Sequence, residues 1–252
     1  MADAHTPVPI GKAIRSTYLW TIEIGRRHPE GLVATILAFL VVSAIPAVGP
    51  ALAGFSLIPL MMVSHNEVIR GPAGFNTVSL GPGWRRVLRF FLDEVVLGFI
   101  LMAIYILPVL LLVALVAALK PKENPSGALV VVLIALPLLM AVVVFLTVAA
   151  MRLTLRFPSR SIDAALKWGE AWTIAKGHTF RLIVASSIIG TPVIVLWGVV
   201  TLATLGSLFG QWLFFGLVLP LQAMLHSAFL ALAYMHCMSD FDQRNQRLVP
   251  AE

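Results

Sequence analysis

Charged residues are scarce in this chain. They make up 12% of its 252 residues, while hydrophobic residues make up 59%, and a soluble domain carries about 25% charged residues. A soluble fold of this length would leave too much apolar surface in water, so the shortage of charge excludes that class. We predict that the lipid bilayer is the main partner of the chain. We interpret the net charge of +6 as a signal of membrane orientation or headgroup attraction, with no nucleic acid bound.

Cysteine is almost absent as well. Cys237 is the only one in the sequence, so no disulfide can form within the chain. The N-terminal region is basic but contains no apolar core of the signal-peptide type. We therefore expect no cleaved signal peptide, and we expect the first span to act as the targeting signal.

Long apolar runs, in contrast, are abundant. They lie at 31–63, 95–119, 127–150, 182–209 and 211–238. A helix needs about 20 residues to cross about 30 Å of hydrocarbon, so the first run is too long for one span. Pro46, Gly49 and Pro50 lie near the middle of that region and favour a turn. We predict one span at about 31–48 and a second at about 51–69.

The distribution of basic residues supports six spans. With the first region read as a hairpin, sixteen of the eighteen lysines and arginines fall on one side of the membrane, and only Lys120 and Lys122 on the other. The positive-inside bias then places both termini in the cytoplasm. The predicted fold is all-α: a single membrane domain, 1–252, with six transmembrane helices forming three hairpins. The hairpins are 31–69, 90–151 and 180–238, with outer turns at 47–50, 120–126 and 206–211 and a cytoplasmic tail at 239–252.

A short sequence repeat precedes two of these hairpins. "WTIEIG" at 20–25 and "WTIAKG" at 172–177 share four of six residues. Each closes a segment with apolar residues at helical spacing, which predicts amphipathic interfacial helices at 9–27 and 161–176. We expect Gly25 and Gly177 to end these helices, where a positive φ is needed. The alternatives are chance identity in a biased composition and a repeated ligand site.

The predicted membrane interface is defined by tryptophans and arginines at the cytoplasmic ends of the spans. Tryptophan is typical of headgroup depth, and arginine interacts with phosphate. The predicted interface residues are Trp20, Trp84, Trp168, Trp172, Arg26, Arg27, Arg85 and Arg86.

Polar residues inside the apolar runs are few, and those that occur are candidates for substrate binding. His226 lies in the last run with Gln222 nearby, and "SSIIGTP" places Ser186, Ser187 and Thr191 before a proline. Broken helices can expose carbonyls to a solute, although prolines and small residues also serve helix packing. We keep both interpretations.

Ionisable residues near the span ends are the remaining candidates for chemistry. Asp93 and Glu94 are expected to pair with Arg86 and Arg89. His65 lies in "SHNEVIR", which has the wrong order for a zinc motif of the His-Glu-x-x-His type. We predict no metal site, no cofactor and no catalytic residue. An intramembrane enzyme using His65, Asp93, Glu94 and His226 is the weakest of our hypotheses.

The segment "MRLTLRFPSRSIDAALKWGEAWTIAKGHTFRL" resembles a family of six-span inner-membrane proteins of proteobacteria. More distantly it is similar to YciC-like proteins and to the membrane domain of some glycerophosphodiesterases. "SHNEVIRG" is similar to the "His-Arg-x-x-Leu-x-Gly" exit of the second span in that family, with Asn66 where arginine is usual. The resemblance implies an inner-membrane location and a six-helix fold, and it implies no activity.

These observations favour a multi-pass membrane protein that is not an enzyme and acts as a scaffold or accessory factor, with other membrane proteins as possible partners. The alternative is a transporter or channel for a small or amphipathic solute.

Overall fold

The computed structural model describes residues 9–45, 49–71, 80–119, 125–164, 166–203 and 207–248. Within these residues the chain is helical and contains no strand, so the predicted all-α class is confirmed. The helices are α1 (Ile10–Arg27), α2 (Pro29–Ser43), α3 (Gly49–Arg70), α4 (Leu80–Leu119), α5 (Pro125–Leu153), α6 (Arg156–Ser161), α7 (Trp168–Ile174), α8 (Thr179–Ala203) and α9 (Leu208–Leu248). The predicted outer turns and the end of the predicted tail lie wholly or partly outside the described residues.

Five of these helices contain a stretch long and apolar enough to cross a membrane. The stretches are Leu52–Arg70, Trp84–Ala114, Leu133–Ser161, Thr179–Ala203 and Phe209–Gln243. Helix α2 is apolar too, but it has only 15 residues and is therefore about 22 Å long. The predicted break within the first apolar region is present, because α2 ends before α3 begins. Whether α2 also crosses the membrane stays a prediction.

The turn between α2 and α3 depends on Gly49. A Cβ atom at this position would overlap the carbonyl oxygen of Val42, which belongs to the backbone and has no rotamer by which to move away. The Gly49 amide donates a hydrogen bond to the Ile45 carbonyl at 2.9 Å. The expectation that Gly49 permits a tight turn is therefore confirmed.

Helices α3 and α9 form the centre of the molecule. In an 18-residue apolar segment of each helix, 56% of α3 and 50% of α9 is buried, against 6% of α4 and 11% of both α5 and α8. Helices α1, α2 and α8 pack around α9, whereas α4 and α5 pair mainly with each other. The outer surfaces of α4, α5 and α8 carry exposed valine, leucine and phenylalanine side chains, as expected for helices that face lipid.

Helices α2 and α9 approach each other closely at Gly216. A Cβ atom there would overlap the Leu40 side chain, so the absence of a side chain sets the distance between the two helices. One turn away, the Trp212 indole Nε1 donates a hydrogen bond to the Ser43 Oγ atom at 2.9 Å. Small residues at helix crossings and interhelical hydrogen bonds both stabilise helix pairs in lipid.

The predicted helix at 161–176 is wrong in its bounds. Helix α6 ends at Ser161 and α7 begins only at Trp168. Between them Asp163 has a φ of 62°, a conformation that no helix continues through. The Ser159 hydroxyl accepts a hydrogen bond from the Leu166 amide at 3.1 Å, and this bond holds the connection in its non-helical path. Ala165, which we expected on the apolar face of that helix, lies outside the described residues.

The two glycines of the WTIxxG repeat differ. Gly177 has a φ of 91°, so the expected positive φ is confirmed, but α7 already ends at Ile174 with Ala175 as its cap. Gly25 lies inside α1, which continues to Arg27 and ends at His28, so the predicted helix end at Gly25 is wrong. Gly25 faces α9, where an added Cβ would stand 3.6 Å from the Met224 Cε atom.

Candidate functional site

A buried carboxylate on α3 joins this helix to the end of α1 and to His28, which lies between α1 and α2. The Glu67 side chain is 2% exposed, and its two oxygens lie 3.0 Å from Arg27 Nη1 and 3.0 Å from His28 Nε2. Arg27 also binds Glu23 at 2.8 Å. Desolvation alone would lower the pKa of Arg27, but the hydrogen bonds and charges of Glu67 and Glu23 outweigh that effect and raise it. The guanidinium therefore stays charged and fixes α1 against α3.

A second buried carboxylate joins α4 to α6. Asp93, whose side chain is 9% exposed, accepts hydrogen bonds from Arg156 Nη2 at 3.0 Å and from Arg160 Nε at 2.7 Å. The expected pairing of Asp93 with Arg86 and Arg89 is therefore wrong. Helix α6 turns two arginines towards the buried Asp93 side chain, so the nearer arginines of α4 are not needed as partners.

The connection between α6 and α7 is held by arginines. The Arg156 guanidinium donates to the Leu166 carbonyl and lies 4.5 Å from the centroid of the Trp168 ring. Arg86, instead of binding Asp93, forms an ion pair with Asp163 at 2.5 Å. These contacts tie the non-helical connection to both α4 and α6.

Helix α3 meets α6 through neutral polar side chains. The His65 Nδ1 and Ser161 Oγ atoms lie 2.8 Å apart, and the Asn66 amide nitrogen donates to the Ser161 carbonyl at 3.0 Å. His65, Asn66 and Ser161 are buried. Asn66 thus holds a structural contact between α3 and α6.

The C-terminal part of α9 carries a third acidic contact. His178 Nε2 lies 3.0 Å from the Asp240 Oδ2 atom, and both side chains are buried. The His178 ring also meets the edge of His236, with the ring centroids 5.5 Å apart. This contact fixes the start of α8 to the end of α9.

The predicted substrate-binding residues do not converge on one site. On α8 the buried residues Thr179, Leu182, Ala185 and Ile189 define the packed face. Ser187 and Thr191 lie on the opposite, exposed side, where the Thr191 hydroxyl donates to the Ser187 carbonyl of its own helix at 2.7 Å.

The other predicted binding residues lie closer to the core. Ser186, Gln222 and His226 are half-buried. The Gln222 amide faces Gly190 of α8, and its Oε1 atom is buried without a hydrogen-bond partner among the described residues. The His226 ring packs near Phe229, with a centroid distance of 6.2 Å.

Of the four residues of the enzyme hypothesis, His65 and His226 lie close enough to interact electrostatically, whereas Asp93 binds two arginines of α6. In the described part of the chain no hydrogen bond or ion pair joins any two of the side chains of His65, Asp93, Glu94 and His226. No group of three His, Cys, Asp or Glu side chains within those ranges has the geometry to hold a metal ion.

The predicted interface residues occupy two kinds of position. Arg26, Arg85 and Trp84 are exposed, whereas Trp20, Trp168 and Trp172 are half-buried at the edges of the packed clusters. Helix α1 packs along α8 and α9, with its Ile24 side chain buried. The depth of these residues in a membrane stays a prediction.

A groove with an arginine at one end lies between α5 and α8. Its volume is about 550 Å³, and its walls include Val144, Val148, Phe180 and Ile183. Arg152 and Thr179 line its polar end, where the Arg152 Nε atom donates to the Thr179 hydroxyl at 2.8 Å. The Arg152 guanidinium also lies 4.6 Å from the centroid of the Trp172 ring.

Sequence reasoning missed Arg152, Ser161 and the His178–Asp240 contact. Arg152 is the first charged residue after the apolar run at 127–150, so its position at a span end was a usable signal. No local pattern indicates that Ser161 reaches His65, because the two residues are 96 positions apart.

Comparison with protein-family models, with curated proteins and with solved structures finds no match to this chain. The resemblance to six-span inner-membrane proteins therefore stays a prediction.

Proposed function

We propose that this chain is a non-enzymatic scaffold or accessory factor of the bacterial inner membrane, built from six membrane-crossing helices arranged as three hairpins. The observation that carries this proposal is the low burial of α4 and α5: only 6% and 11% of an 18-residue apolar segment of each helix is buried. In a bilayer, exclusion of water does not drive helices together, so packing and polar contacts decide which faces are filled. The exposed apolar faces of α4 and α5 are accessible to lipids and to helices of other membrane proteins.

The buried charges support a structural role. Glu67 and Asp93 are each engaged by two basic side chains, and each contact joins helices distant in sequence. A catalytic acid or base needs a reacting proton within hydrogen-bond reach. Here both carboxylates bind basic side chains, and these contacts hold the ends of the helices together. The contacts of Asp93 anchor the base of the α4–α5 hairpin to α6.

The proposed orientation has both termini in the cytoplasm. Sixteen of the eighteen basic residues then lie on the cytoplasmic side, as the positive-inside bias requires. This arrangement requires α2 and α3 each to cross the membrane. With 15 residues, α2 crosses only where flanking residues or a locally thin bilayer compensate for its length.

Site-specific photo-crosslinking in living cells tests the scaffold proposal. A photoreactive residue is placed at Phe99 or Leu136, which are 67% and 62% exposed, and at the buried Phe90 as the control. We expect the exposed positions, but not Phe90, to give adducts with one recurring membrane protein whose assembly fails when this chain is deleted. Adducts with lipid alone, together with unchanged assembly of membrane proteins, would contradict the proposal.

The alternative is a transporter for a small or amphipathic solute. It is favoured by the buried atoms His65 Nε2, Gln222 Oε1 and Ser227 Oγ, which have no hydrogen-bond partner among the described residues. Buried polar groups of this kind are costly unless a water or a solute satisfies them. Solute flux into vesicles containing the purified protein, lost in Gln222→Leu and kept in Thr191→Val, would favour transport over the scaffold.

A further inference from the structure

The groove between α5 and α8 is apolar along most of its length. Val144 is 58% and Phe180 is 77% exposed at its walls, and the cavity of about 550 Å³ is large enough for a small ligand or part of a lipid. In a protein whose solvent is lipid, such a cavity is filled by an acyl chain or by a neighbouring helix.

The polar end of the groove carries a positive charge that no acidic side chain among the described residues neutralises. In the described part of the chain Arg152 has no acidic partner, unlike Arg156, which binds Asp93. A guanidinium has five N–H donors, and Arg152 uses its Nε donor for Thr179. Its terminal nitrogens keep donors for an anion, and the planar fork of arginine matches phosphate geometry.

The depth of Arg152 along α5 fits a headgroup. Arg152 is the first charged residue after the apolar run at 127–150, and about 20 helical residues cross the hydrocarbon, so Arg152 lies at the boundary. Trp172 stacks against the guanidinium, and tryptophan is typical of this interface. The exposed Lys176 follows shortly after in the chain and adds positive charge on the same side.

We infer that this groove binds an anionic phospholipid, with its phosphate at Arg152 and an acyl chain along Val144, Val148 and Ile183. The inference deepens the proposed scaffold function, on which it rests for the placement of the chain in a bilayer. A helix of a partner protein fits less well, because the groove ends at a charged, half-buried arginine instead of continuing as an apolar face. A lipid matches both ends, since its chain is apolar and its headgroup is anionic.

Lipid retention by the purified full-length protein tests this inference. The protein is reconstituted in phosphatidylcholine vesicles with a minor fraction of phosphatidylglycerol, extracted in mild detergent and analysed by native mass spectrometry. We expect the wild type to retain phosphatidylglycerol preferentially. Arg152→Gln should reduce that retention about tenfold, the size expected for one lost charge-assisted contact. Arg89→Gln removes the same charge from an exposed arginine of α4 and should leave retention unchanged.

A second variant separates loss of binding from loss of folding. Ile183→Trp fills the groove without changing its charge, and it should also lose the retained lipid. Cys237 is the only cysteine and is fully buried, so its reaction with a maleimide reports whether each variant is folded. Equal retention of both lipids by the wild type would overturn the inference, as would full retention by a folded Arg152→Gln or, if that variant unfolds, by Ile183→Trp.

The two proposals fail separately. Recurring protein adducts at Phe99 in a chain that retains no particular lipid would leave the scaffold standing without the lipid site. Retained phosphatidylglycerol in a chain that gives no protein adduct would leave the lipid site without the scaffold.

Discussion

At the scale of single residues, buried acids determine how this molecule is held together. The Asp93 side chain is only 9% exposed and is bound by Arg156 and Arg160. A buried ion pair contributes little net stability compared with an apolar replacement, but removal of one partner leaves an uncompensated charge. The consequence is that Asp93 depends on both arginines, whose side chains are themselves only 12% and 22% exposed.

Asp93→Asn is expected to destabilise the protein strongly. The substitution keeps the shape of the side chain but leaves two arginines facing a neutral amide, at a cost of about 3 kcal/mol in unfolding free energy. The measurement is a denaturant titration in detergent, followed by the reactivity of the buried Cys237. The matched control is Glu30→Gln, an exposed acid expected to change stability by less than about 0.5 kcal/mol. Equal curves for the two variants would show that the Asp93 contact contributes nothing.

The sequence indicated that charged residues gather at the ends of the spans, but not which of them meet. Asp93 was expected to use Arg86 and Arg89, which are close to it in the chain. Its actual partners are 63 and 67 positions away. Contacts at that separation depend on how α6 folds back against α4, and local patterns carry no information about that packing.

At the scale of helices, close approach depends on small residues. Gly216 lets α9 lie directly against Leu40 of α2. Lipid tails are as apolar as leucine, so helix pairs in a membrane gain little stability from the burial of apolar side chains. Their stability comes more from tight van der Waals contact. Gly198 of α8, in contrast, has open space around it and carries no such constraint.

Gly216→Ala is expected to separate α2 from α9. The added methyl group would overlap Leu40, and overpacking of this kind costs about 1–3 kcal/mol. Because the clash is with a flexible side chain, Leu40→Ala in the same chain should recover part of the loss. Thermal unfolding in detergent measures both effects, with Gly198→Ala as the matched control. An unchanged melting temperature for Gly216→Ala alone would show that the contact is looser than described.

Helices were the most predictable part of the fold. Apolar runs of the right length gave the long helices, and Gly49 located the turn between α2 and α3, because these signals are local. The predicted helix at 161–176 was wrong, since Asp163 adopts a positive φ in a connection fixed by tertiary contacts. The exposed positions of Ser187 and Thr191 on α8 could not be predicted for a related reason: which side of a uniformly apolar helix faces the core depends on its neighbours.

At the scale of the whole molecule, the number of times that the first apolar region crosses the membrane decides on which side each end of the chain lies. With α2 and α3 both crossing, the N-terminal helix and the end of α9 lie on the same side. With α2 as a re-entrant segment, the ends lie on opposite sides and the basic residues no longer share one face of the membrane.

Reporter fusions distinguish these arrangements. We expect a periplasm-dependent phosphatase to be active when fused after Ile45, Leu119 or Ala203, and inactive after Gly71 or Leu248. A fluorescent protein that folds only in the cytoplasm should give the opposite pattern. Sixteen of the eighteen basic residues lie on one side of the membrane in this arrangement, and the positive-inside bias keeps that side in the cytoplasm. Phosphatase activity after Gly71 or Leu248 would contradict the six-span arrangement.

The central position of α9 has a consequence for how the chain is made. Synthesis proceeds from the N-terminus, so the helix that packs on α1, α2, α3 and α8 leaves the ribosome after all four of them. Until it arrives, Leu60, Val63 and Val68 of α3 lack the partners Met224, Ala228 and Ala231 with which they pack in the finished protein. The core between α3 and α9 therefore forms only after α9 has entered the membrane. A ribosome that stalls before residue 208 leaves α3 without this partner helix.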